Sequence, residues 1–267
     1  MNEDCSVNIF GRVGIESLLL DIPYVCKTWY KATLNPSCWQ RVSLYGCSKS
    51  RLEEEYDLRN NSSITSFIKF VVSHSDGLVT DLELPRCCTK EALLYVADAC
   101  PNLKFLVLPA TLLVFEWPII LELFSKWKNL EFLRLKDNTN VRGILGEVVK
   151  HCKNFTGLAL AETHVGEAEV SAVVNLMPKI KHLDFRGSRI EKVNLIKVLK
   201  GCPELEHLDV RNCTGFGEDN EEIIKLGSHL RKFMRDGSMA FDSYSDDDSS
   251  DACLDYDSED ATESLII

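Results

Sequence analysis

Five stretches share one pattern: Pro101-Asn-Leu103-Lys-Phe105-Leu106-Val107-Leu108, Lys128-Asn-Leu130-Glu-Phe132-Leu133-Arg134-Leu135, Lys153-Asn-Phe155-Thr-Gly157-Leu158-Ala159-Leu160, Pro178-Lys-Ile180-Lys-His182-Leu183-Asp184-Phe185 and Pro203-Glu-Leu205-Glu-His207-Leu208-Asp209-Val210. Anchored on Leu106, Leu133, Leu158, Leu183 and Leu208, the spacings are 27, 25, 25 and 25 residues. Leu82-Glu83-Leu84 fits 24 residues earlier, and Leu230-Arg231-Lys232-Phe233 fits 25 residues later without a completed strand. A near-constant period of this size marks stacked structural repeats. Within each unit the two apolar residues of Leu-x-Leu fall on one face of a short strand, because side chains alternate along it. Ala168, Val170, Val173, Val174 and Met177 then recur near helical period, as do Val193, Ile196 and Leu199. One strand face and one helix stripe cannot bury themselves within a single unit; stacking the units makes a continuous core.

The period and the L-x-x-L-x-L core resemble the leucine-rich repeat, over about residues 78–235. The resemblance implies an α/β solenoid, a horseshoe with a parallel sheet inside the curve and helices outside. Thr89 before Lys90-Glu91-Ala92, and Ser188 three residues before Glu191, are the expected helix N-caps. Pro118 suits a first helical turn. Cys100, Cys152 and Cys202 each stand two residues before an Asn or acidic residue, where a helix should turn into a strand. This resembles the cysteine-containing subclass of leucine-rich repeats, which implies thiols packed inside the turns, and Cys213 after Arg211-Asn212 matches the post-strand Asn/Cys position. The competing reading is a redox or metal role, against which buried thiols behave as small hydrophobes.

Residues flanking the core leucines point away from the core, onto the concave sheet. That set is Phe105, Val107, Pro109; Phe132, Arg134, Lys136; Gly157, Ala159, Ala161; His182, Asp184, Arg186; and His207, Asp209, Arg211. Adjacent strands lie about 4.8 Å apart, so His182 should stand beside His207, Asp184 beside Asp209 and Arg186 beside Arg211. The surface should run from an aromatic end, across a saddle of Gly157, Ala159 and Ala161, to a charged ladder. The saddle suggests room for a partner protein to lie across it. Candidate substrate contacts are Phe105, Val107, Phe132, Arg134, His182, Asp184, Arg186, His207, Asp209 and Arg211, with aromatic and Arg anchors of the kind that dominate binding. The alternative is a solvated face on which Asp and Arg pair across strands. Repeats generate His/Asp ladders without any metal or acid–base purpose, so no metal, cofactor or catalytic residue is assigned. No Gly-rich phosphate loop is present, Gly215-Phe216-Gly217 stopping short, and no Gly-x-Ser-x-Gly.

Residues 1–45 leave the repeat pattern. They contain Asn8-Ile9-Phe10-Gly-Arg-Val13, Ile15-Glu-Ser-Leu18-Leu19-Leu20-Asp-Ile-Pro-Tyr-Val25-Cys26, Lys27-Thr-Trp29 and Asn35-Pro36-Ser-Cys-Trp39. The Ile-Phe, the leucine-rich middle, Val25-Cys26-Lys27-x-Trp29 and Pro36-x-x-Trp39 together resemble an F-box, and an F-box ahead of leucine-rich repeats is a domain order familiar from plant proteins. An F-box normally opens with a Leu-Pro and an acidic-Leu-Leu stretch, where this chain reads Met1-Asn-Glu-Asp-Cys-Ser-Val7. The expectation is a shortened first helix with less apolar area for a partner, at about 25 cal/mol per Å² lost. The resemblance implies a non-catalytic substrate receptor that binds a Skp-type adaptor of a cullin–RING ubiquitin ligase through Ile9, Phe10, Leu18, Leu19, Leu20, Val25, Cys26 and Trp29. Trp29 and Trp39 are also expected to pack at the junction to the repeats. The alternative role is a cap that seals the first repeat of a non-ubiquitin interaction scaffold. Residues 46–77 are the expected junction and first outer helix, with Ile64–Val72 near helical period and Val42-Ser-Leu44 as a first strand.

The net charge of −11 is local: from Asp236 on there are 11 acidic residues and no Lys or Arg, so residues 1–235 are neutral overall. A neutral body argues against nucleic acid, which needs clustered positive charge. Residues 236–267 read as an acidic, disordered tail, with Ser243 and Ser245 placed for an acid-directed kinase. The acidic start is not a secretory signal, and the most apolar stretch, Phe105–Phe115, is too short for a membrane span of about 20 residues. Eleven cysteines without Cys-x-x-Cys spacing point to reduced thiols, in cytoplasm or nucleus, and away from structural zinc.

Overall fold

The structure, a computed structural model, describes residues 3–240. Four short helices come first: α1 (Glu3–Phe10), α2 (Ile15–Leu20), α3 (Ile22–Val25) and α4 (Lys27–Thr33). Strand β1 (Arg41–Ser43) follows, then α5 (Arg51–Glu55), α6 (Asn61–Ser73), β2 (Asp81–Glu83) and α7 (Lys90–Ala99). Next come β3 (Phe105–Leu108), α8 (Ala110–Phe115), α9 (Trp117–Leu123), β4 (Phe132–Leu135) and α10 (Val141–His151). The chain closes with β5 (Gly157–Ala159), α11 (Glu167–Leu176), β6 (His182–Asp184), α12 (Lys192–Gly201), β7 (His207–Asp209), α13 (Glu221–Leu226) and β8 (Lys232–Met234). The strands form one eight-stranded parallel sheet in sequence order. Each pairs in register with the next, so the central apolar residues stack as Val42, Leu82, Leu106, Leu133, Leu158, Leu183, Leu208 and Phe233. All but Phe233 are buried. This is the α/β leucine-rich solenoid that the repeat implies. The apolar ladder and the inner faces of the outer helices merge into one core that also takes in Phe10, Leu18 and Trp39. Among the described residues no helix is long and apolar enough to cross a membrane.

Local chemistry explains the element ends. The Thr89 side chain accepts the Ala92 N–H at the start of α7, and Pro118 sits in the first turn of α9. Cys100, Cys152 and Cys202 end α7, α10 and α12, each with its N–H bonded to the carbonyl four residues back. Their thiols are buried, and burial pushes them up to about 12, 11 and 11 respectively. The Cys152 thiol donates to the Trp127 carbonyl at 3.3 Å, and that of Cys213 donates to the Phe185 carbonyl at 3.0 Å. These neutral thiols satisfy carbonyls inside the turns, which is a packing role.

Several expectations change. Ser188 is not a helix cap: α12 starts at Lys192, and the buried Ser188 hydroxyl donates to the Leu160 carbonyl at 2.8 Å while accepting the Thr163 N–H. Its neighbours are turns of the preceding repeat, which offer a closer partner than the helix. The buried stripe of α12 is Leu195, Val198 and Leu199; Val193 is 64% exposed, because at 3.6 residues per turn it falls on the opposite face of the helix. Ala168 of α11 is likewise exposed. Lys232–Met234 does complete a strand, pairing with β7. Residues 236–240 finish the last repeat rather than begin the tail: Ser238 is buried with its hydroxyl on the Val210 carbonyl at 2.6 Å, and Met239 bridges Thr214. Ser243 and Ser245 lie outside the described residues.

Candidate functional site

Two surfaces carry the side chains singled out in the sequence. The first is the N-terminal helical unit. Phe10 is buried and meets Trp29 edge-on, ring centroids 5.1 Å apart, and Leu18 is buried too. Both therefore belong to the interior and not to a contact surface: an amphipathic helix places one of three consecutive leucines inward, and here it is Leu18. Leu19, Leu20 and Trp29 are half-buried against the core. Ile9, Val25 and Cys26 face solvent, Ile9 at 50% and Val25 at 59% exposure. The sequence reading missed three more apolar side chains on the outside: Tyr24 at 78%, Tyr30 and Leu34. A signal was there, since Cys26, Tyr30 and Leu34 recur every four residues on a stripe separate from buried Ala32 and Thr33. Single exposed apolar residues are ordinary, and this small unit carries six of them.

The unit is fastened to the solenoid. The Trp39 indole N–H donates to the Thr33 carbonyl at 2.7 Å, and its ring lies 4.5 Å from that of His74, which caps the end of α6. Arg41 donates to the Gly11 carbonyl at 3.2 Å, and Arg51 pairs with Asp21 at 3.0 Å. The N-terminal helices thus cap the first strand.

The second surface is the concave sheet. Register sets Phe105, Phe132, Gly157, His182, His207 and Lys232 in one row, and Val107, Arg134, Ala159, Asp184, Asp209 and Met234 in the next. The register sets His182 beside His207 and Asp184 beside Asp209, as expected, while Arg186 and Arg211 lie past the ends of β6 and β7. The expected open saddle is absent. The Phe132 ring, stacked 5.0 Å from that of Phe105, lies over Gly157, where an added Cβ would meet it at 2.1 Å. Arg134 reaches across Ala159 to donate to Asp184 at 2.9 Å. The small residues make room for the chain's own long side chains, so the floor is filled. As a result Val107, Phe132, Arg134, Asp184 and Asp209 are buried, and as candidate contacts they act from beneath the surface rather than on it.

What remains half-exposed is Phe105, His182, His207, Arg186 and Arg211. Arg186 bonds Asp184 at 2.9 Å and Asp209 at 3.2 Å, while Arg211 bonds Asp209 at 2.8 Å. Burial pulls the Arg186 guanidinium down, but Asp184 and Asp209 outweigh it and hold it above its ordinary range. Lys136 crosses two strands to Glu83 at 3.2 Å, its ammonium 3.9 Å above the Tyr45 ring. The face is thus a self-paired polar lattice with an aromatic strip beside it.

The His182 and His207 rings lie with centroids 4.8 Å apart, tilted by 35°. Burial, then the neighbouring His207, hold His182 below its ordinary range; burial and the cations Lys232 and Arg231 do the same for His207 against the pull of Glu206. A folded-state pKa below the unfolded value means that the unfolded chain takes up protons first. Stability should then be full above about pH 6.5 and be lost as pH falls through that value toward the lower folded-state pKa values. Denaturant midpoints measured from pH 7.5 down to 5 should fall, and His182→Phe should flatten the fall. An equal slope in the variant would assign the effect elsewhere.

No family model matches the chain. Curated proteins do. An F-box/LRR-repeat protein of Arabidopsis thaliana is 29% identical over 79% of this chain and 70% of its own length. F-box protein FBW2 of the same plant is 24% identical over 83% of this chain and 73% of its own length, and F-box protein SKIP1 is 24% identical over 78% and 76%. Together with the eight-strand solenoid behind an N-terminal helical unit, these homologues support reading the chain as an F-box/leucine-rich-repeat protein.

Proposed function

We propose that the chain is a substrate-recognition subunit of an SCF-type cullin–RING ubiquitin ligase and performs no chemistry itself. The observation that carries this is the cluster of solvent-facing apolar side chains, Ile9, Tyr24, Val25, Cys26, Tyr30 and Leu34, on a helical unit in a chain whose homologues are F-box proteins. F-box homologues point in general to Skp-type adaptors as partners. A water-facing apolar set of this kind gains affinity when a partner covers it, once the costs of association are met. In this reading Phe10 and Leu18 hold the unit's shape, and Leu19, Leu20 and Trp29 contribute at its edge.

The solenoid would hold a target protein near the ubiquitin-carrying enzyme, raising its effective concentration. Phe105, His182, His207, Arg186 and Arg211 are the side chains offered to it, set in place by Val107, Phe132, Arg134, Asp184 and Asp209 from below. The cytoplasm or the nucleus is the compartment that fits, and phosphorylation at Ser243 or Ser245 would add negative charge to the acidic segment.

The test is co-capture. Tagged full-length chain expressed in plant cells should bring down adaptor and cullin together, and Val25→Asp, which places a charge in the apolar surface without touching the core, should lose both. Capture of neither by the unaltered chain would favour the scaffold reading, in which the helical unit only caps the solenoid through Trp39 and Arg41.

A further inference from the structure

One repeat breaks the period. Leu106 and Leu133 stand 27 residues apart, where each of the three following intervals is 25. The longer unit has a split outer helix: α8 ends at Phe115, Glu116 leaves helical geometry (φ −120°, ψ 14°), and α9 starts at Trp117. Val114, Phe115 and Trp117 at the break are exposed, Phe115 at 77%. Length changes within a repeat emerge as loops on one face of a solenoid, often the binding face. Phe115 stands at an open cleft of about 740 Å³ between the starts of α6 and α7 and helix α8. The lining includes none of the concave-face side chains and none of the exposed apolar set of the N-terminal unit. Thr65 and Thr89, whose hydroxyls meet at 2.6 Å, and buried Leu112 line its inner part. Exposed Ser62 and Ser66, one turn apart on α6, present hydroxyls along one side. The Thr111 hydroxyl donates to the Arg86 carbonyl at 2.6 Å and ties the loop before α7 to α8.

Charge indicates the occupant. Two of the three cations that line the cleft are already paired, Lys69 with Glu91 at 2.6 Å and Lys90 with Glu116 at 3.8 Å. Those pairs take up both of its acids. Arg86 is exposed and has no acidic partner among the described residues, so it is the cation in excess. Its guanidinium presents a fork of donors that matches a carboxylate. A small ligand needs a mainly apolar enclosure that covers about 70–90% of its surface, and this open cleft, lined by hydroxyls and charges, does not provide one. An extended peptide meets what is there: Ser62 and Ser66 for its backbone, Phe115 for an apolar side chain and Arg86 for an acid.

We propose that this cleft docks an extended acidic segment of a partner protein, with an Asp or Glu on Arg86 and a neighbouring apolar side chain on Phe115. The site stands independently of any ligase role. Peptide display on the purified full chain tests it. A random peptide library is first cleared on the Phe115→Ala/Arg86→Glu variant and then selected on the parent, so that peptides bound elsewhere are removed. Both residues are exposed, and neither substitution enters the core. The retained peptides should share an Asp or Glu beside an apolar residue. In fluorescence anisotropy Phe115→Ala and Arg86→Glu should each weaken them about tenfold or more, as loss of an interface anchor does. Lys200→Glu, the same change of charge at the end of α12, should leave the dissociation constant unchanged. An empty selection, a retained set without the acid, or equal weakening by Lys200→Glu would overturn the site. So would self-association in sedimentation that Phe115→Ala abolishes, which would assign the cleft to a second copy.

Discussion

Asp184→Ala is expected to lower the unfolding free energy by about 3–5 kcal/mol, the usual consequence of removing one partner of a buried ion pair. Asp184 is 2% exposed and Arg134 is 7% exposed. Removing the carboxylate leaves Arg134 buried without its 2.9 Å partner, and its Nε already has none among the described residues. Arg186 is hurt less, because it keeps Asp209. The double variant Arg134→Met/Asp184→Asn should recover most of the loss, since no buried charge then stands alone. Urea denaturation followed by circular dichroism reads both. A loss below about 1 kcal/mol for Asp184→Ala would mean that the pair behaves as a screened surface contact, and the filled concave floor would then not hold.

Trp39→Ala should cost a comparable amount, about 3–5 kcal/mol for a fully buried Trp, but its effect should be local. Trp39 is 1% exposed, donates to the Thr33 carbonyl and packs on His74. It joins the N-terminal unit to the first repeat, and contacts in a solenoid run mainly between neighbours. Hydrogen exchange should therefore rise across α1–α4 and β1 while β5–β7 stay protected. A uniform rise across the sheet would show that the helices and repeats unfold as one block.

The sequence showed the solenoid because the repeat is a backbone property: the spacing of Leu106, Leu133, Leu158, Leu183 and Leu208 dictates register, and register dictates rows. It showed the cysteine turns for the same reason. It did not show what the rows do with their side chains. Gly157 and Ala159 read as open floor, and only the reach of Phe132 and Arg134 across a strand fills it. The same limit acted at the N-terminus. Phe10 and Leu18 look like contacts until helix packing turns them inward, and Tyr24, Tyr30 and Leu34 look unremarkable until packing leaves them outside. Ser188 resembled a cap by spacing, while its hydroxyl had a nearer carbonyl in the preceding repeat. Patterns set by period were legible; those set by side-chain length and by choice of partner were not.

The proposed Skp-type adaptor site is the set of exposed apolar side chains on and beside α1, α3 and α4. Its most direct test is the dissociation constant of purified full-length chain with purified plant adaptor, measured by titration calorimetry for the parent, Val25→Asp and the concave-face control Phe105→Ala. The parent should bind, Val25→Asp should bind at least about tenfold more weakly, and the constant for Phe105→Ala should be unchanged. No binding by a folded parent, or equal binding by Val25→Asp, would contradict this assignment.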